Sequence, residues 1–102
     1  MDFSVSCKLP ERTVEIDGVM RDVYGVASVK SDPQWQGLGR MMLKWAEEKA
    51  RRDGKFCCVG FAVPVTFTQF FKKAGWHCCG IFDGRIVTAS IPAKRVVVHE
   101  RW

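Results

Sequence analysis

The stretch PQWQGLGRMMLKWAEEKA, Pro33 to Ala50, sets Gly37 and Gly39 one residue apart at the opening of a run that otherwise reads as a strong helix. Glycine costs about 1 kcal/mol relative to alanine inside a helix, so two at one start need a reason. The chemistry open to them is anion binding. The first N–H groups of a helix have no intrahelical partner and, with the helix dipole, attract a phosphate. Glycines let it approach the backbone, because no Cβ stands in the way. Gln34, Gln36 and Arg40 would surround such a cradle. The spacing is neither the dinucleotide fingerprint GxGxxG nor a P-loop, whose lysine and hydroxyl are missing. The other reading is steric: glycines here also permit tight helix–strand packing.

Other residues offer acid–base chemistry. Tyr24 is the one tyrosine of the chain. On a strand leading to this junction it serves either as a proton donor facing a cleft or as a half-buried structural residue. Asp22, two residues earlier, reads as a general base or as an exposed strand carboxylate. His99 and Glu100 reach the junction only if the last strand packs there. Trp35 either covers a ligand or docks on the core. The five cysteines are Cys7, Cys57, Cys58, Cys78 and Cys79. Neither Cys-Cys pair has the CxxC spacing that lets nearby thiolates wrap one zinc, so no metal site is expected. Neighbours in a strand point to opposite faces, so each pair splits itself, and the thiols are expected in the core.

The elements that must position these groups follow from periodicity. TVEIDGVMRDVYGVASV alternates around Asp17-Gly18, a favoured two-residue hairpin turn, and gives strands near Thr13–Ile16 and Val19–Val29. Ser31, Asp32 and Pro33 break the second strand. A helix is expected from about Leu38 to Arg52. Leu38, Met41, Met42, Trp45, Ala46 and Ala50 form its buried stripe. Glu47–Arg51 and Glu48–Arg52 read as surface pairs, and Asp53-Gly54 is the stop. FCCVGFAV reads as a strand buried on both faces. In PVTFTQFFKKAGW, Thr66 and Gln69 have capping-box spacing. Phe67, Phe70 and Phe71 form the apolar stripe, and Gly75 ends the helix. HCCGIFDGRIVTASIP is a hairpin turning at Asp83-Gly84, and KRVVVHE offers a last strand. The expectation is a single α/β domain over residues 1–102, its central strands parallel across a right-handed crossover.

Composition bounds the partners. The chain has 102 residues, 47% of them apolar, and a net charge of +5. That charge suits an anionic ligand. Nucleic acid is not expected, because no binding motif accompanies the charge. No spanning helix or signal peptide is read, and the odd cysteine count fits a reducing, cytoplasmic setting.

From about Thr13 to Pro92 the chain resembles the GNAT N-acetyltransferase superfamily. Gln34-Trp35-Gln36-Gly37-Leu38-Gly39 matches its Q/R-x-x-G-x-G/A signature, GVASVKSDP looks like the strand leading into it, and QFFKKAGW resembles its FY-x-x-x-GF helix end. Within the superfamily, RTVEIDGVMRDVYGVASV is most similar to aminoglycoside N-acetyltransferases and their relatives. The resemblance implies a mixed sheet with a strand–helix–strand–helix–strand core that binds acetyl-CoA and transfers its acetyl group to an amine of a small molecule or protein. It implies pantetheine bonded to the backbone of Ala27, Ser28 and Val29. The pyrophosphate would lie on amides from Gln34 through Gln36, Gly37, Leu38 and Gly39 to Arg40. Two positions depart from the pattern. Phe71 stands where the family's acid, a tyrosine, is usual, and Pro64 stands where an asparagine is frequent. Restoring that tyrosine is expected to raise turnover if its hydroxyl points into the cleft. The family's N-terminal strand and two helices are also missing from the pattern, which leaves a sheet edge and implies a homodimer covering it. The alternative is a non-catalytic CoA-binding or oligomer-forming relative.

Overall fold

The computed structural model describes residues 6–30 and 36–99. The strands are β1 (Ser6–Lys8), β2 (Glu11–Ile16), β3 (Val19–Lys30), β4 (Cys58–Ala62), β5 (His77–Phe82), β6 (Arg85–Ala89) and β7 (Val96–Val97). One long helix, α1 (Gln36–Arg52), joins β3 to β4. A short α2 (Pro64–Thr66) runs into a π-helical turn, Phe67–Phe71, between β4 and β5. Both expected hairpins form. Asp17 and Gly18 have φ of 49° and 87°, and Asp83 and Gly84 have 52° and 76°. Two successive left-handed residues are what a two-residue turn needs to match strand twist.

The sheet is mixed, with strand order β5-β6-β4-β3-β2-β7 and β1 paired to β3 beside this path. β3 and β4 are the parallel pair, registered at Tyr24–Cys58, Gly25–Val59 and Val26–Gly60. The other pairings are antiparallel. α1 is the crossover that parallel pairing requires. An α/β domain with parallel central strands is therefore present, as expected.

Strand alternation divides the core in two. On one face Tyr24, Val26, Cys58 and Ala62 pack under Leu43, Ala46 and Ala50 of α1, with Phe67, Phe71 and Trp76. On the other, Val14, Ile16, Val23, Cys57, Val59, Val87 and Ala89 are covered by Val96 and Val98. The segment after β6 thus crosses this face as a strap and ends beside β2. Its anchor is Asp17. The carboxylate accepts from the N–H groups of Lys94 (3.0 Å) and Arg95 (2.9 Å), and the Asp17 N–H donates to the Arg95 carbonyl (2.9 Å).

Several expectations are corrected. α1 begins at Gln36, two residues before the expected start, so Gly37 as well as Gly39 lies inside its first turn. Among the described side chains of α1 the buried ones are Leu43, Ala46 and Ala50, the two alanines as expected and Leu43 in addition. Met41 and Trp45 are 64% and 47% exposed. At 100° per residue they lie nearly opposite Leu43. Two alanines let the helix approach the sheet closely, and that contact outweighs the larger side chains. At the end of α1 Lys49 and Asp53 form an ion pair (3.1 Å) that the spacing did not suggest, and Arg51 attracts the Glu47 carboxylate as expected.

Thr66 caps nothing. Val63 is the N-cap of α2, without a side-chain bond, and Pro64 occupies the first turn. Proline's fixed φ suits that position, and the cap lies three residues earlier than expected, at Val63 instead of Thr66. The Cys57-Cys58 pair splits across the sheet as expected, but Cys78 is exposed rather than core. The strand expected over KRVVVHE is only Val96–Val97. It pairs with Glu15 and Ile16, covering part of the edge expected to be bare.

Candidate functional site

The feature that positions chemistry is a notch where β3 and β4 part. Their pairing stops at Val26 and Gly60. β3 continues to Lys30 and β4 to Ala62. Beyond Val26, β3 pairs with β1 on its far side, at Ala27–Lys8 and Lys30–Ser6. Its near side carries backbone N–H and C=O groups with no strand opposite among the described residues. β4 meanwhile stays paired with β6 through Ala62. The two strands are held by different neighbours, and that separates them.

α1 starts at this open end. β3 and β4 are parallel and α1 returns between them, so Gln36, Gly37, Leu38 and Gly39 form the helical turn nearest the notch. Their first N–H groups lack intrahelical acceptors. Arg40 follows and is exposed. Ala27, Ser28 and Val29 lie on the part of β3 that borders the notch. Gln34, Trp35 and the Ser31-Asp32-Pro33 break lie outside the described residues, as does Glu100. By chain order, the backbone of Ala27, Ser28 and Val29 and the first turn of α1, Gln36 through Arg40, lie toward the same end of the β3–β4 pair.

The acid–base candidates are not gathered there. The Tyr24 hydroxyl donates to Oδ2 of Asp53 at 2.5 Å, just past the C-terminus of α1. A helix of 17 residues is about 25 Å long, so this bond lies at the far end from the first turn. It raises the Tyr24 pKa to about 12, with burial adding to the effect. Asp53 is lowered, first by accepting from Tyr24 and next from Lys49. Lys49 and Lys55 also lie over the Tyr24 ring, at 5.8 and 5.4 Å. Tyr24 is thus the buried structural tyrosine of the two alternatives. Asp22 is exposed and accepts from the Thr13 hydroxyl at 3.2 Å. Its backbone carbonyl accepts from the Phe56 N–H.

Phe71 is buried against Trp76 and Phe70, with ring centroids 5.3 and 5.1 Å away. A tyrosine there would aim into the core, not a cleft. His99 stands 3.4 Å from Glu15, at the hairpin end of β2, so the last strand does not bring it to the notch.

Two groups escaped the sequence reading. A cavity of about 180 Å³ lies under the C-terminal end of α1, lined among others by Glu47, Arg51, Cys57 and Ser90. Burial raises the Glu47 carboxyl, and the Trp76 indole and Arg51 pull it back. The indole N–H is buried and faces Glu47 without reaching hydrogen-bond geometry. Asp17, read only as a turn residue, is the strap anchor. The Asp-Gly turn signalled the hairpin, but no local pattern ties residue 17 to residues 94 and 95. The thiols offer little chemistry: burial pushes Cys57 up to about 12 and also raises Cys79. Among the described residues no cluster of His, Cys, Asp or Glu can hold a metal ion, and no helix is long and apolar enough to cross a membrane.

Comparison with known proteins finds no matching family model, no matching curated relative and no matching solved structure.

Proposed function

We propose that this chain is a GNAT-like domain that binds acetyl-CoA in the β3–β4 notch and passes the acetyl group to an amine. One observation carries the reading: the parallel pair is registered over three positions only and then opens toward the first turn of α1. The open side of β3 at Ala27, Ser28 and Val29 suits an extended arm bearing amides, which bonds to a strand as another strand would. The first N–H groups of α1, with Gly37 and Gly39 in that turn, suit a pyrophosphate. An N–H near Val29 would polarise the thioester carbonyl. The attacking amine loses its proton to water or a carboxylate, and the thiolate leaves and takes a proton from solvent. The acceptor is a primary amine of a small molecule, such as an aminoglycoside, or of a protein.

A second reading has its own support. Tyr24 is bonded to Asp53, and Phe71 is buried without a hydroxyl. Neither supplies the acid the resemblance leads one to expect. That favours a domain that binds acyl-CoA without turning it over.

The test has two stages. Acetyl-CoA is expected to raise the melting temperature, since a ligand at 100 times its Kd adds about 2.7 kcal/mol to stability. Gly37→Val is expected to abolish that rise. Free-thiol release with a panel of amines, checked by mass spectrometry of the products, then separates the readings. Binding without release supports the second, and no thermal shift with acetyl-CoA or free CoA removes both.

A further inference from the structure

Lys8 closes β1 and is exposed. Its register partner on β3 is Ala27, just past the point where the β3–β4 pairing ends. Two observations fix the face of the sheet on which Lys8 lies. Register partners in an antiparallel pair share a face, and alternation along β3 from Val23, which packs in the core under the strap, puts position 27 on the strap face. Leu9, the next residue, packs against the opposite core, the one under α1. A bond from the Gly25 N–H to the Pro10 carbonyl (2.8 Å) ties the chain just beyond Lys8 to β3.

Between the pairs Ala27–Lys8 and Lys30–Ser6 the register shifts. β3 takes three steps, from 27 to 30, where β1 takes two, from 8 to 6, so one residue of β3 at Ser28 or Val29 has no counterpart in β1. Such a bulge bends and twists the strand that carries it, and it stands on the segment beside the notch. α1 and residues 64–71 pack on the helix face of the sheet. The strap pairs with Glu15 and Ile16, at the end of the β2–β3 hairpin away from the notch. The strap face at the notch end is therefore the approach for an amine, and Lys8 is on it.

We propose that Lys8 is a self-acetylation site, its amine taking the acetyl group of acetyl-CoA held in the notch. This rests on the binding reading above and adds the identity of one acceptor. The lengths fit. An arm bonded along the open side of β3 lies two strand spacings, about 10 Å, from β1. An extended lysine stem spans about 6 Å, and attack needs the nitrogen about 3–3.5 Å from the carbonyl carbon. The uncharged Nζ of Lys8 forms the C–N bond, the C–S bond breaks, and CoA leaves as the thiolate. The nitrogen gives its proton to water, and the thiolate takes one from solvent. The product is a neutral amide, so β1 loses a positive charge. A tethered amine needs no encounter step, and that offsets the lack of a positioned acid.

The experiment incubates the full chain with acetyl-CoA and no other amine at mildly alkaline pH, and maps acetyl groups over time by mass spectrometry of its peptides. Lys8 is expected to be modified about tenfold faster than any other lysine, with a rate constant independent of protein concentration. The chain unfolded in urea is expected to lose that preference. Gly37→Val is expected to lose it as well, together with the thermal shift on acetyl-CoA. Lys8→Arg is expected to keep the thermal shift and to lose the fast phase of thiol release. Even acetylation of all lysines, a preference for another lysine such as Lys30, or a rate constant that grows with protein concentration overturns the proposal. So does a Lys8 preference that survives in urea or in Gly37→Val. An unmodified Lys8 with the thermal shift intact overturns self-acetylation and leaves the binding reading standing, whereas the absence of any thermal shift removes both.

Discussion

The Tyr24 hydroxyl and the Asp53 carboxylate, 2.5 Å apart, tie the middle of β3 to the end of α1. The bond raises Tyr24 to about 12 and lowers Asp53, and both shifts make stability depend on pH. An unfolded tyrosine loses its proton near pH 10. The folded one holds it to about 12. The contribution of Tyr24 is therefore complete below about pH 10 and is lost as pH rises toward about 12. Asp53 has the opposite sign: its contribution is present above the ordinary carboxylate range and is lost as pH falls through its lowered value. Tyr24→Phe is expected to be less stable than the parent at neutral pH and to show a shallower alkaline decline. Melting temperatures of both proteins across the alkaline range check this; parallel curves would remove the linkage.

Leu43 is fully buried on the face of α1 that meets the sheet, and Met41 is exposed on the opposite one. Leu43→Ala is expected to cost about 2–5 kcal/mol, the range for a truncated buried leucine. Met41→Ala is expected to stay within about 0.5 kcal/mol, as surface substitutions do. Urea denaturation of the two variants tests which stripe faces the core. A larger loss in Met41→Ala would restore the stripe that periodicity suggested.

Phe71→Tyr separates a cleft position from a core position. The ring packs between Phe70 and Trp76, so an added hydroxyl lacks water and a ready partner. The expected cost is about 1–3 kcal/mol, with no rise in thiol release from acetyl-CoA. A variant that is as stable as the parent and turns over faster would put the hydroxyl in the notch.

How much was legible in the chain follows from which constraints are local. Asp17-Gly18 and Asp83-Gly84 announced both hairpins, because a two-residue turn demands left-handed backbone and few residues supply it. The apolar run around Cys58–Ala62 announced a central strand. The face of α1 did not follow from residue type. Met41 and Trp45 carry more apolar surface than Ala46 and Ala50, but small side chains decide how closely a helix can approach a sheet. Thr66 and Gln69 had the spacing of a cap and lost to Pro64, whose ring already fixes the helical φ. For the site, Gly37 and Gly39 marked the turn of α1 beside the notch. The bonds that commit Tyr24 to Asp53, and Asp17 to Lys94 and Arg95, join residues far apart in sequence. No spacing rule reaches them.

Thiol chemistry should single out one residue. Cys57, Cys58 and Cys79 are buried, and Cys78 is exposed. Burial holds Cys57 near 12 and raises Cys79, so neither forms the reactive thiolate at neutral pH. In a Cys7→Ser background the native protein is expected to release one equivalent of chromophore with a disulfide reagent, and unfolding in urea to release the remainder. Rapid reaction of a second thiol would mean that the strap or α1 opens readily.

The strap is held to the sheet at Asp17, and that attachment can be weakened without touching the core. Asp17 does two things at once: it adopts a left-handed φ of 49° and accepts two backbone N–H bonds from Lys94 and Arg95. Alanine does neither well. It loses the acceptor, and a Cβ without a local hydrogen bond resists the left-handed region by about 1–2 kcal/mol. Asparagine tolerates that region and keeps one acceptor oxygen, but without the charge that strengthens such bonds. Asp17→Ala is therefore expected to lose about 2 kcal/mol in urea unfolding, given that its bonds are exposed. Asp17→Asn is expected to lose less than half of that. If the strap loosens, Val96 and Val98 leave the face they cover with Val14 and Val23, and the alanine variant is expected to bind a hydrophobic dye more strongly than the parent before it unfolds. Equal losses in the two variants would mean that charge, rather than backbone conformation, holds the strap. No loss in either would leave the strap held by its valines and its backbone pairing with β2.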